Sequence, residues 1–247
     1  MAIRQDIAIA FRVRPLVIDT GGHSGNAGDG AGVAPASTLT LVNTNAAEYE
    51  TIEEIPFPAI GSETPLPAHD PANDRSAWAN YVLCGVMGVL RHYTGTNIPH
   101  VHIDMLVDGV IPAGCGLSSS SALVVASTLS VAYSLDPLNV PARVELAEIC
   151  RRAEQFVGTM GGGMDQTVSC LAQQGKALHI SFSTQPPTIT PVTLPTEVLG
   201  LTFVVANSMV VAKKAVDAAT HFNKRVVECA LAAKMIAKKC GVSKWRT

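Results

Sequence analysis

A short glycine and serine tract constrains this chain more than any other feature. Residues 111–126 read IPAGCGLSSSSALVVA, in which Gly114 and Gly116 precede four consecutive serines and an apolar run that continues to Leu135. Glycine lets a ligand approach the backbone closely, and the unpaired N–H groups of a first helical turn carry partial positive charge. The tract therefore predicts a turn and a helix, serving either as a phosphate cradle or simply as a serine-capped helix start.

Composition indicates a globular protein and excludes several classes of partner. Of the 247 residues, 47% are hydrophobic and 15% charged, and the formal net charge is −2. Nothing here indicates binding to nucleic acid or to an anionic membrane, and no apolar run reaches the roughly 18 residues of a membrane span. The six cysteines form no C-x-x-C pair and are typical of buried thiols in a reducing compartment. We expect a cytoplasmic, monomeric protein.

Hydrophobic periodicity predicts strands and helices along the whole chain. The predicted strands cover residues 3–13, 38–43, 100–107, 176–182 and 201–206. The predicted helices run from 73 or 74 to 93, from the serine tract to 135, from 141 to 158, from 165 to 172 and from 212 to 240. Residues 20–40 and 53–72 are rich in glycine or proline and predict surface connections.

Two acidic residues stand out in this pattern. Glu154 falls in the last turn of a predicted helix, where the dipole disfavours an anion by about 0.3–1 kcal/mol. It is either a solvated surface residue or a functional one. Asp165 follows adjacent glycines in G-T-M-G-G-G-M-D-Q, residues 158–166. It is either a helix-capping carboxylate or a group that accepts a hydroxyl proton.

The combination indicates ATP-dependent phosphoryl transfer. The tract lacks the Gly-Lys-Ser/Thr ending of the Walker loop, so Mg²⁺ would have to compensate the phosphate charge. A serine hydroxyl and a carboxylate are the hard oxygen ligands that Mg²⁺ prefers. Lys213 and Lys214 begin a predicted helix, where the dipole disfavours cations. Trp78 and Tyr81 share a predicted helix face, either as core residues or as an aromatic wall for a flat ligand.

Several motifs resemble one family of small-molecule kinases. P-A-G-C-G-L-S-S-S-S-A, residues 112–122, resembles the phosphate motif of the GHMP kinases, and residues 158–166 with G-K-A-L-H-I at 175–180 resemble the galactokinases and N-acetylgalactosamine kinases among them. The segments A-W-A-N-Y, V-E-L-A-E-I-C and H-F-N-K-R-V-V-E-C fit the same pair. The resemblance implies an α+β GHMP-kinase fold of the ribosomal protein S5 domain 2-like type. Residues 1–195 would form the ATP-binding N-terminal domain, without its first strand and motif, and 196–247 the start of the C-terminal domain.

The resemblance also implies roles for individual residues. The ATP phosphates would be wrapped by Gly114, Cys115, Gly116, Leu117, Ser118, Ser119 and Ser120, with Ser121 starting the helix. Mg²⁺ would be bound by Ser120 and Glu154. Asp165 would contact the sugar C1 hydroxyl, as general base or as an orienting group, and Gly162 would lie against the sugar. Trp78 and Tyr81 would flank the adenine, and Lys213 and Lys214 would lie on the nucleotide side.

The implied reaction is phosphorylation of the C1 hydroxyl of galactose to galactose 1-phosphate. N-acetylgalactosamine is the alternative acceptor, and a non-catalytic galactose and ATP sensor is the alternative from another class. Such sensors are shortened in the serine tract, whereas Ser118–Ser121 are complete here, which favours the enzyme. The family motif similar to G-R-V-N-L-I-G-E-H, with the arginine that pairs with the catalytic Asp, would precede Met1. We therefore expect a chain truncated at both ends, with little or no activity.

Overall fold

The computed structural model describes most of the chain. The described residues are 5–16, 37–57, 69–73, 75–93, 100–184, 186–200, 202–206, 208–212, 216 and 218–242. Lys213 and Lys214, and most of the glycine-rich and proline-rich connections predicted at 20–40 and 53–72, lie outside these residues.

A four-stranded sheet forms one layer of the fold. Its strands are β1 (Ile7–Pro15), β2 (Thr38–Asn43), β3 (Ile52–Pro56) and β4 (Val101–Gly109), in the order β1-β4-β2-β3. β4 pairs antiparallel with β1 and parallel with β2, while β2 and β3 are antiparallel. Alternate residues of β4 are buried, because successive side chains of a strand point to opposite faces.

Two helices, α1 (Ala79–His92) and α2 (Ser119–Leu135), cover the buried face of this sheet. Two more, α3 (Arg143–Ala153) and α4 (Met164–Leu171), pack against α1 and α2 in a second cluster that includes Cys84, Val124 and Cys150. Side chains of α1 and α2 share one core with the strands, including Val82, Val131 and Ile103, none of which is exposed to solvent. α1 and α2 approach closely at Gly85, where an added Cβ would lie 2.7 Å from the backbone nitrogen of Thr128. The middle of α1 therefore packs directly against the middle of α2.

The remaining described elements follow α4 in the chain. β5 (Lys176–Ser181) and β6 (Thr188–Thr193) pair antiparallel, and a short helix α5 (Thr196–Leu199) follows. A π-helical turn at Ala218–Phe222 leads into α6 (Asn223–Lys239). No helix within the described residues is both long enough and apolar enough to span a membrane.

Several predicted elements are confirmed and others were wrong. The strand at 38–43 and the helix end at Leu135 are confirmed. The first strand covers 7–15 rather than 3–13, and the first helix begins at Ala79 rather than 73 or 74, after a series of turns. β3 lies within the segment predicted as an irregular connection, and β6 was missed because Pro191 interrupts its pattern. Both strands are short and lie at the edges of their sheets.

The largest error concerns the end of the chain. Residues 202–206, predicted as a strand, pair with no described strand, and Phe203 and Val204 are exposed. A run of aromatic and β-branched residues alone does not make a strand without a neighbour to accept its backbone hydrogen bonds. The predicted helix at 212–240 is regular α-helix only from Asn223, and Gly241 follows its end with a φ of +70° as expected. The six cysteines are all free thiols, but Cys84, Cys150 and Cys170 alone are buried.

Candidate active site

The glycine and serine tract forms a tight turn before α2. Gly114, Gly116 and Ser118 have φ angles of +68°, +79° and +59°, so three residues in this short loop adopt the left-handed conformation. α2 begins at Ser119, two residues earlier than the predicted start at Ser121. The side chain of Ser118 makes no capping hydrogen bond, so the first-turn N–H groups are not capped by it. A helix start with free donors attracts anions.

The segment 208–212 closes one side of this loop. The backbone N–H of Ala212 donates to the carbonyl of Gly114 over 2.9 Å. A Cβ at Gly114 would lie 2.8 Å from Val211 Cγ1 and 3.0 Å from the Ala212 carbonyl, so only glycine fits there. A Cβ at Gly116 would meet no atom within 4 Å, which leaves that side of the loop open.

A cavity of about 520 Å³ lies in front of the loop. Its wall includes Gly114, Gly116, Ser118, Ser119, Ser120, Trp78, Tyr81, Tyr49, Leu123, Val211, Ala212 and Val216. The wall is largely apolar, with polar side chains at the serines, Asn43 and Glu48, which is typical of a small-molecule site with a few polar orienting groups. Cys115 lies in the loop and its thiol contacts the Pro112 carbonyl at 3.0 Å.

Trp78 and Tyr81 lie at the start of α1 and line this cavity. Trp78 is 8% exposed, and its ring meets the ring of Tyr49 edge-on, with centroids 6.0 Å apart. Its indole nitrogen is buried and has no hydrogen-bond partner within the described part of the chain. Burial raises the pKa of Tyr81 to about 12, with smaller contributions from Glu154 and Cys84. The two sequence interpretations are therefore compatible, because both rings belong to the core and to the cavity wall.

Glu154 joins three helices. α3 ends at Ala153, so Glu154 opens a 3₁₀ turn, Glu154–Val157, rather than lying inside a longer α-helix. Its Oε2 accepts hydrogen bonds from Ser121 Oγ, over 2.8 Å, and from Gln166 Nε2. Ser121 is the third residue of α2 and Gln166 is the third residue of α4. The carboxylate thus lies at the positive ends of two helices, which offsets its unfavourable place at the end of α3.

Asp165 follows a turn that is fixed by packing. Gly163 precedes α4 with a φ of +91°, and a Cβ there would overlap Arg151 Cδ. Arg151 is itself held by Glu148, whose two carboxylate oxygens accept bonds of 2.7 and 2.8 Å. These hydrogen bonds, with help from Arg152, lower the pKa of Glu148 to about 2. Asp165 is half-buried, and its carboxylate has no hydrogen bond or ion pair with any residue that the structure describes.

The site residues predicted from the sequence fall into two groups, which are connected by hydrogen bonds. Ser119 and Ser120 face the cavity, whereas Glu154, Asp165 and Gly162 are not among its lining residues. Ser121 and Gln166 connect the two groups, because both donate a hydrogen bond to the carboxylate of Glu154. Sequence reasoning missed Gln166 and did not anticipate the hydrogen bond from Ser121 to Glu154. The adjacency of Gln166 to Asp165 was the available signal.

Comparison with known proteins identifies the family. Residues 80–173, which include α1, the serine tract and Asp165, match the family model of the GHMP kinases N terminal domain. The chain carries a GHMP kinase N-terminal domain. The crystal structure of Lactococcus lactis galactokinase complexed with galactose matches 78% of this chain, and the chain covers 40% of that structure, with a TM-score of 0.54 and 22% identity. That likeness agrees with the α+β GHMP-kinase fold implied by the sequence, which is confirmed.

Several curated proteins that are similar to this chain are galactokinases. One from Dictyostelium discoideum is 42% identical over 170 residues, which cover 68% of the chain and 32% of that relative. One from Candida parapsilosis is 37% identical over 209 residues, which cover 83% of the chain and 40% of that relative. The chain therefore spans about a third to two fifths of the length of these relatives.

Proposed function

We propose that this chain forms the nucleotide-binding part of a galactokinase, which transfers the γ-phosphoryl group of ATP to the C1 hydroxyl of galactose. The observation that carries the proposal is the shared contact of Ser121 and Gln166 with Glu154. It connects the phosphate-type loop to the turn that presents Asp165. We infer galactose as the acceptor from the names of the relatives, which are galactokinases.

ATP would occupy the cavity in front of the serine tract. Residues 114–120 would surround the phosphates with backbone N–H groups, and the start of α2 would add the favourable end of the helix dipole. Trp78 and Tyr81 would contact the adenine from the apolar side of the same cavity. Lys213 and Lys214, by resemblance alone, would add positive charge on the nucleotide side.

Mg²⁺ would be held by Ser120 and Glu154 together with the phosphates. Within the described ranges no three His, Cys, Asp or Glu side chains form a metal cluster, but Mg²⁺ often takes only one or two protein ligands. Ser121 and Gln166 both donate to Oε2 of Glu154, and Oε1 accepts no hydrogen bond from a described residue. Glu154 Oε1 is therefore available as the hard oxygen ligand that Mg²⁺ takes. When bound, the ion would neutralise charge on the β- and γ-phosphates.

Asp165 would act at the sugar. Its carboxylate lacks a partner among the described residues and lies shortly after the open glycines Gly161 and Gly162, where an added Cβ would meet no atom within 4 Å. Such a surface lets a sugar approach the backbone closely. The carboxylate would accept or orient the proton of the C1 hydroxyl while that oxygen attacks the γ-phosphorus and ADP leaves. N-acetylgalactosamine is the second candidate acceptor, favoured by the G-G-G-M-D-Q spelling of the loop.

An ADP-release assay with galactose, N-acetylgalactosamine or no sugar tests the proposal, alongside thermal unfolding with and without Mg-ATP. We expect Mg-ATP to stabilise the chain and galactose to raise ADP release above the sugar-free rate. The rate should be far below that of the Dictyostelium galactokinase, because no described arginine pairs with Asp165. A chain that Mg-ATP does not stabilise contradicts the proposal, and faster release with N-acetylgalactosamine would replace galactose with that sugar.

A further inference from the structure

Asn223, the first residue of α6, holds the glycine loop that precedes Asp165. Its Oδ1 accepts a hydrogen bond from the backbone N–H of Met160 over 2.9 Å. Its Nδ2 donates to the carbonyl of Gly158 over 2.8 Å. Asn223 is distant from the loop in sequence, yet its side-chain amide both accepts a hydrogen bond from the loop backbone and donates one to it.

The side chain of asparagine suits this role because it carries one acceptor and two donors on a planar group. An aspartate in its place would keep the acceptor for Met160 but would direct a negative charge at the Gly158 carbonyl. The amide is also well anchored, since Asn223 begins a helix of 17 residues rather than another loop. A loop rich in glycine loses much conformational entropy when it is ordered, so external bonds decide which path it takes.

The other end of the loop is fixed independently. Gly163 packs against the stem of Arg151, and Glu148 holds that arginine. Met160 is held by Asn223 and Gly163 by Arg151, so Gly161 and Gly162 are the residues between the two points of attachment. The path of the loop, and with it the direction in which α4 begins, is therefore set from both sides.

We propose that Asn223 is a positioning residue for the sugar side of the site, acting through the loop 158–163 on Gly162 and Asp165. The role at the sugar rests on the proposed function, whereas the attachment of the loop to Asn223 can be tested without any sugar. α6 would thereby act on the acceptor side of the site, whereas residues 208–212 contact the loop on the nucleotide side.

Amide hydrogen exchange of the 247-residue chain tests the attachment. In Asn223→Ala we expect residues 158–163 to exchange about tenfold faster, since both bonds are lost, while β4 exchanges as before. Asn223→Asp should protect the Met160 amide better than Asn223→Ala, because it retains that acceptor. Lys234→Ala, an exposed change on the same helix, serves as the control. Unchanged exchange at 158–163 in Asn223→Ala would overturn the proposal.

Calorimetric titration then separates the two sides of the site. We expect Asn223→Ala to weaken galactose binding about tenfold and to leave Mg-ATP affinity within about twofold. Faster loop exchange with unchanged galactose affinity would overturn the positioning role. If the unmodified chain binds Mg-ATP but neither sugar, the proposed function fails, whereas the exchange result still decides whether Asn223 holds the loop.

Discussion

The hydroxyl of Ser121 donates to Oε2 of Glu154 over 2.8 Å, which ties the first turn of α2 to the end of α3. Gln166 donates to the same oxygen from the first turn of α4. One carboxylate therefore sets the relative positions of two helix starts, one behind the phosphate-type loop and one carrying Asp165.

Replacing Glu154 should separate its structural role from its role at the metal. Glu154→Gln keeps an acceptor for Ser121 but removes the charge, so we expect Mg-ATP binding to weaken at least about tenfold with a small change in stability. Glu154→Ala leaves two donors without an acceptor and should also cost about 1–3 kcal/mol in the free energy of unfolding. Titration with ATP, with and without Mg²⁺, and urea unfolding measure the two effects. Glu145→Gln, an exposed change in α3, is the control, and equal ATP affinity in Glu154→Gln would exclude a metal-linked role.

The two loop glycines should differ in their tolerance of alanine. Gly114→Ala meets Val211 and the Ala212 carbonyl, whereas Gly116→Ala meets no atom within 4 Å. Both have positive φ, which costs alanine about 1–3 kcal/mol, but only Gly114→Ala adds a steric clash. We expect the larger loss of stability and of nucleotide binding for Gly114→Ala. Equal losses in urea unfolding would mean that the segment 208–212 does not pack against the loop.

Asp165→Asn should remove turnover without weakening the fold. The carboxylate has no partner among the described residues, so its neutral isostere leaves no described group unsatisfied. We expect galactose-dependent ADP release to be lost while the unfolding midpoint and Mg-ATP affinity stay within error. A marked fall in the unfolding midpoint would show that Asp165 has a structural partner and would weaken its assignment to the sugar.

The hydrogen bonds to Asp104, on the outer face of the sheet, should make the stability of the fold depend on pH in the acid range. Burial alone would raise the pKa of Asp104, but hydrogen bonds from Arg12, Arg14 and His102 lower it from 3.8 to about 2. Because the folded pKa is depressed, this stabilisation is present above the ordinary pKa and is lost as the pH falls from 3.8 toward 2. Asp104→Asn should therefore be less stable than the unmodified chain near pH 5, with a smaller difference near pH 2. Urea midpoints that differ equally at both pH values would contradict this.

The sequence predicted the parts of the site that depend on local chemistry. The turn of glycines before α2 and the carboxylates at 154 and 165 could all be recognised from residue type and spacing. The contact between Ser121 and Glu154 could not, because the two residues are 33 positions apart on different elements and the sequence does not give the relative positions of those elements.

Contacts that join distant segments were equally beyond the sequence. Asn223 belonged to a segment that resembled the family, but nothing in the helical pattern indicated that its amide reaches the loop at 158–160. Likewise, the apolar residues at 202–206 predicted a strand because residue type reports which residues can be buried, not whether a neighbouring strand is available. β2, whose pairing partners lie on both sides, matched its prediction at both ends.

The backbone bond from Ala212 to Gly114 has a consequence for the order of folding. The sheet, α1 and α2 can pack from residues that all precede position 136, yet the wall of the cavity also needs Val211 and Ala212. A contact of such long sequence separation forms late, because the entropy lost in closing its loop must be overcome first. The core of the domain can therefore exist before its ligand site does, and undocking of residues 208–212 would abolish binding while the sheet stays folded.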